Sequence, residues 1–168
     1  MESIKTILND EDIQKEYETA VLLSMFKAVC VKGKNDDCFR RRIYTLFRES
    51  LDRKATIKAI IKKEFEVELT NEEAQKMEKW FIANENKKPR KHISEAEKYR
   101  LLKEQNYKCN ICGADLSNSA KKIHVDHIIP YELVGDELED NLQCLCETCN
   151  ECKNSKIDFI LLKKLRIR

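Results

Sequence analysis

Apolar side chains recur at three- and four-residue spacing through residues 10–31, where Ile13, Tyr17, Val21, Leu22, Met25, Phe26 and Val29 mark one face of a predicted helix. Acidic residues open this helix, and it is expected to stop near Gly33. Asp36 and Asp37 start a second helix with Phe39, Ile43, Tyr44, Leu46, Phe47 and Leu51 on its buried side and Arg40, Arg41 and Arg42 beside it. A third, over 52–65, presents Ile57, Ile60 and Ile61. The fourth begins at Thr70, whose hydroxyl and Glu73 form a capping-box pattern ahead of Met77, Trp80, Phe81 and Ile82. Stripes of this kind are packing faces, so this half reads as helices joined through their apolar sides.

The pattern breaks at 84–92, where apolar residues vanish and five basic residues gather around Pro89. That composition is a linker, and the alternative reading is an arm that follows phosphates. Ser94 and Glu97 cap a further helix that carries Tyr99, Leu101 and Leu102 toward the module that follows. Residues 121–128, KKIHVDHI, alternate and are rich in β-branched side chains, which predicts a strand ending before Pro130. In regular alternation His124 and Asp126 share one face and His127 takes the other. A loop at 131–140, a short strand at 141–146 and a helix from Glu147 complete the order, and Ile157, Phe159, Ile160, Leu161, Leu162 and Leu165 would anchor a basic C-terminal helix.

Composition sharpens this to a fold class. Three glycines and two prolines are few turn-formers for an all-β chain, so the expectation is a mostly helical α+β protein. Its 168 residues suit a helical region over 1–91, including the basic linker, followed by a second domain over 92–168. A 37% charged share, no apolar run of spanning length and an N-terminus without signal-peptide character point to a cytoplasmic protein with no membrane partner. The net charge of +2 is nearly balanced, so attraction to nucleic acid would have to come from local clusters.

Eight cysteines change the picture most. Cys109/Cys112 and Cys146/Cys149 are two Cys-x-x-Cys pairs, the spacing of a closed tetrahedral zinc site, whereas disulfides do not suit a lysine-rich chain without an export signal. Cys152 is also three residues from Cys149 and is an alternative partner for it. Redox-active dithiols are the duller reading of the pairs. Gly113 follows the first pair, where the chain must turn back. Cys30, Cys38 and Cys144 read as small buried hydrophobes, His92 as solvated, and His124 as a surface strand residue whose shared face with Asp126 leaves a phosphate contact open.

The strings CNICG, VDHIIP and DNLQCLCETCN, followed by Lys153, resemble the HNH endonuclease family and its ββα-metal (His-Me finger) fold, in the subgroup with a four-cysteine zinc site. The resemblance covers about residues 93–157 and says nothing about the helical half. It implies that His127 is the general base for the attacking water and that Asp126 is a ligand of a catalytic divalent cation. Asn141 would brace the loop and help orient the base, and Asn150, at the position where the family's last histidine is often found and many members have asparagine, would be a further metal ligand through oxygen.

The chemistry asks for the same groups. An anionic phosphodiester requires a cation at the leaving oxygen and a base that titrates near neutrality, which is histidine. A carboxylate and an amide oxygen suit Mg2+ or Mn2+, so two metals are expected, structural Zn2+ on sulfur and catalytic Mg2+ or Mn2+ on oxygen. For Asp126 and His127 to act on one phosphate, the strand is expected to end or bend between them. Lys153 and Lys156, with His124, are candidate contacts to DNA, with double-stranded DNA the best fit to the family. Two functions follow: a metal-dependent DNA endonuclease, restriction-like or phage-defence by analogy, or a zinc-stabilised nucleic-acid- or protein-binding module without cleavage. The helices at 10–82 could supply recognition, a homodimer interface or a partner surface.

Overall fold

A computed structural model describes residues 11–117 and 122–153. Helices α1 (Glu11–Asn35), α2 (Asp37–Glu49), α3 (Arg53–Phe65), α4 (Asn71–Glu85) and α5 (Glu95–Glu104) precede strand β1 (Ile123–His127), the short helix α6 (Tyr131–Val134), strand β2 (Leu142–Cys146) and helix α7 (Glu147–Lys153). The mostly helical α+β class is thus the observed one, and its sheet is a single antiparallel pair. The expected C-terminal helix, Lys156 included, lies outside the described residues. No described helix is long and apolar enough to cross a membrane.

Local chemistry starts these helices where the sequence placed the starts. Asp36 accepts from the Phe39 N–H at 2.9 Å and Asp52 from the Ala55 N–H at 3.0 Å, each satisfying a donor the first turn leaves orphaned. Thr70 and Glu73 form the reciprocal capping box, at 3.2 and 2.7 Å. Helix α1 ends at Asn35, two residues past Gly33, as the expected stop near Gly33 implies. Glycine in a helix costs only about 1 kcal/mol relative to alanine. Its value here is clearance, because a Cβ would stand 3.3 Å from that of Arg40.

By density of packing the described residues form two compact units, one drawn from 11–20, 90–131 and 139–153, the other Val21–Pro89 and Glu132–Leu138. The helical unit is centred on Phe26, Phe47 and Phe81, with Phe26 and Phe81 edge-on at 5.1 Å between ring centroids. Leu22, Leu23, Ile57, Ile61 and Met77 complete its interior. Its second segment, from the β1–β2 connection, is fixed by Asn84, whose amide bonds the Leu133 carbonyl and accepts from Tyr44, and by Lys87, whose ammonium donates to the Glu132 carbonyl at 3.1 Å. Burial pushes the Tyr44 hydroxyl well above its ordinary range.

Several expected core positions face water instead. Tyr17, Leu46, Leu51 and Tyr99 are exposed, and α2 buries only the narrower stripe Phe39, Ile43 and Phe47. Cys38, one residue from that stripe, is exposed rather than buried, while Cys30 is half-buried and its thiol is pushed by desolvation up to about 11. Arg40 and Arg41 both pair with Asp37, the second at 2.7 Å, and Arg42 lies over the Phe39 ring.

Candidate functional site

The first cysteine pair is presented by a tight turn after α5. Asn106 and Tyr107 take left-handed conformations, the Tyr107 N–H returns to the Leu102 carbonyl at 2.8 Å, and the chain turns again at Gly113, with φ of 71°. The second pair spans the junction of β2 and α7, Cys146 closing the strand and Cys149 standing in the first turn of the helix. Together they bring four Sγ atoms within 4.8 Å of one another. Cys112 and Cys146 are 3.8 Å apart, which is close to the edge of about 3.8 Å that a tetrahedron of roughly 2.3 Å Zn–S bonds requires. All eight cysteines are free thiols. The choice left open between Cys146 and Cys152 falls to Cys146, since Cys152 is exposed and outside the cluster. Cys144 is fully buried, as expected.

Electrostatics favours a cation among these sulfurs. Burial alone would raise the Cys109 thiol, but the N–H groups of Cys112, Cys146 and Ile111 turned toward its sulfur outweigh that and bring it down to about 7. Cys149 is pushed far up by burial and by the neighbouring sulfurs of Cys112 and Cys146, and Cys146 is raised chiefly by burial. Sulfurs this crowded cannot all be anions without a compensating charge, and a closed set of four thiolates is the preferred environment of structural zinc.

Around the cluster, Leu101, Leu102, Ile111, Leu116 and Leu145 form a small core. Sequence reading missed the residue that ties α5 to this sheet. Gln105 offers its carbonyl oxygen to the Cys144 N–H at 2.7 Å and its amide to the Cys144 carbonyl at 3.0 Å, replacing the strand that β2 lacks on its outer edge. Asn110 adds a bond to Gln143 at 2.8 Å.

The strand pair runs in register from Ile123 opposite Cys146 to His127 opposite Leu142. The expected bend between Asp126 and His127 is therefore not there: His127 is still a paired strand residue, and the two side chains leave opposite faces. His127 is buried, and its ring meets that of Tyr131 with centroids 5.5 Å apart. Arg90 lies over the other partner in this stack, 5.6 Å from the Tyr131 centroid. Asn141 is buried just beyond the strand and clamps one residue from both sides, its Oδ1 accepting from the Ile129 N–H at 2.7 Å and its Nδ2 donating to the Ile129 carbonyl at 2.9 Å.

Helix α7 completes the group. Asn150 is half-buried, and Lys153, three residues on, is only 2% exposed rather than free to meet a ligand in solvent. Its ammonium sits 2.7 Å from Asp126 Oδ2 and donates to the His127 carbonyl at 2.6 Å. A signal for this was available: Lys153 follows the inward-facing Cys149 by four residues, so a helix turns both to the same side. His124 is half-buried, with Nε2 making no hydrogen bond among the described residues, and His92 is exposed.

Apart from the four cysteines, no cluster of three or more cysteine, histidine or acidic ligands occurs among the described residues. A hard cation beside Asp126 would thus draw most of its shell from water or substrate oxygens, which is how Mg2+ is commonly held.

No curated protein and no solved structure matches this chain. The family model described as HNH endonuclease matches residues 109–156, the stretch that opens with the first metal-placed cysteine and holds the strand pair and α7. Over residues 109–156 the chain is accordingly similar to the HNH endonuclease family.

Proposed function

We propose that the chain is a metal-dependent DNA endonuclease in which His127 activates water and Asp126 and Asn150 hold a divalent cation. The observation that carries the reading is the match of residues 109–156, which include Asp126, His127, Asn141 and Asn150, to the HNH endonuclease model. Phosphodiester hydrolysis displaces the leaving oxygen in line with the attacking water, so base and cation belong on opposite sides of phosphorus. Because β1 runs straight through Asp126 and ends at His127, one phosphate could meet both groups only past the end of the strand. When bound, Mg2+ or Mn2+ would stabilise charge on the transferring phosphate and the leaving oxygen.

The chain's own residues do the rest. Asn141 fixes the backbone directly after His127 through Ile129, which limits how far the imidazole can swing. Tyr131 covers one side of the ring, and its movement would admit water. The four cysteines, filled by zinc, would pin α7, the helix that carries Asn150, to β2. Double-stranded DNA as substrate and a cytoplasmic location extend the same reading.

Supercoiled plasmid incubated with purified protein and Mg2+ or Mn2+ tests this, with EDTA and His127→Ala as controls. Cation-dependent nicking lost in His127→Ala is the expected result. Nicking that persists in that variant removes His127 from the mechanism. The burial of His127 and the ion pair on Asp126 favour the second reading, a binding module without cleavage. Retention of DNA by a protein that never nicks it, under any divalent cation, would select that reading.

A further inference from the structure

Lys153 places a full positive charge on the carboxylate assigned to the catalytic cation. Its side chain is almost wholly enclosed, while that of Asp126 keeps about a quarter of its surface, 24%, open to solvent. The ammonium meets Asp126 Oδ2 and the His127 carbonyl, at 2.7 and 2.6 Å. Both belong to the strand end that carries the proposed base and metal ligand.

From this geometry we infer that Lys153 is a positioning residue that acts as a resident cation. It fixes Asp126 through Oδ2, leaves Oδ1 as the oxygen available to a divalent ion, and by its charge holds that ion's affinity low until substrate oxygens join the shell. The inference rests on the reading above and deepens it. An ammonium at hydrogen-bond distance from one carboxylate oxygen stands only about 4–6 Å from an ion on the other, a separation at which like charges in a partly dry site repel strongly. A buried lysine also has little freedom to withdraw, because leaving its partner would strand a charge away from water. Sequence placed Lys153 on DNA, where removing it would weaken DNA binding. Here it faces inward, and removing it should strengthen cation binding instead.

The test is calorimetric titration of Mn2+ into the zinc-loaded full chain without DNA. Lys153→Met keeps the methylene stem and deletes the charge, Lys153→Gln also deletes the charge but keeps an N–H donor, and Lys153→Arg keeps the charge. Zinc content reports whether each variant retains its fold. The expected result is Mn2+ binding at least about tenfold tighter in the Met and Gln variants and within about threefold of the parent in the Arg variant. If Lys153→Met loses zinc, Lys153→Gln decides alone. Zinc-loaded Met or Gln variants that bind Mn2+ no more tightly than the parent overturn the inference, as does absence of any Mn2+ binding in all four proteins. The two ideas fail separately: a parent protein that never cleaves plasmid counts against the nuclease, whereas unchanged Mn2+ affinity in a cleaving protein counts only against Lys153.

Discussion

Asn141→Ala is the substitution for which the structure gives the clearest magnitude. The side chain is 5% exposed and makes two hydrogen bonds to one residue, accepting from the Ile129 N–H at 2.7 Å and donating to the Ile129 carbonyl at 2.9 Å. Truncation leaves both backbone groups without these partners, and Ile129 itself is buried at 8%. A buried polar group left unsatisfied costs about 1–3 kcal/mol, so the pair implies roughly 2–6 kcal/mol. The Ile128 N–H bond to the Asn141 carbonyl, at 2.8 Å, is made by backbone and survives the change. Asn141→Asp should fall between, because a carboxylate still accepts from the Ile129 N–H but cannot donate to its carbonyl. Urea titration read by zinc release to a chromogenic chelator reports on this unit rather than on the helices. Amide exchange at Ile129 gives a local check, with faster exchange expected in both variants. A loss below about 1 kcal/mol in Asn141→Ala, with Ile129 still protected, would show that the clamp does not hold the turn after His127.

Three further outcomes follow from the same coordinates. Cys149→Ser should abolish zinc uptake and the circular-dichroism signal of the sheet and α7, since zinc binding worth roughly 10–16 kcal/mol matches the whole stability of an ordinary domain; unchanged zinc content and spectrum would refute the structural role. Gly135→Ala should destabilise the helical unit by about 1–2 kcal/mol, because φ is +63° and the new Cβ would fall 2.6 Å from Lys87 Cγ; an unaltered melting temperature would be the contrary result. Alkylation at pH 8 should modify exposed Cys38 before Cys30, whose buried thiol is raised to about 11 and whose reactive thiolate is therefore scarce until the pH rises toward that value; peptide mass spectrometry showing Cys30 modified first would contradict the placement.

Much of the architecture was legible along the chain because its causes are local. Asp36, Asp52 and the Thr70–Glu73 pair cap helices with atoms from within one turn, and the Cys-x-x-Cys spacing presents two sulfurs wherever the turn lies. The matched family stretch is legible for the same reason, its motif being a short run of fixed spacings. Periodicity failed where a face needs a neighbour to be buried: Tyr17, Leu46, Leu51 and Tyr99 sit at apolar positions left exposed among the described residues.

What sequence alone determined was which residues could cap, pair or ligate. Tertiary structure decided which of them do. It chose Cys146 over Cys152 by placing four sulfurs within 4.8 Å, carried β1 straight through Asp126 and His127, and turned Lys153 from an expected surface contact into a buried cation on Asp126. These outcomes depend on residues far apart in the chain meeting at distances of a few ångströms, and such meetings are set by the packing of α7 and α5 against a two-stranded sheet rather than by spacing along the backbone.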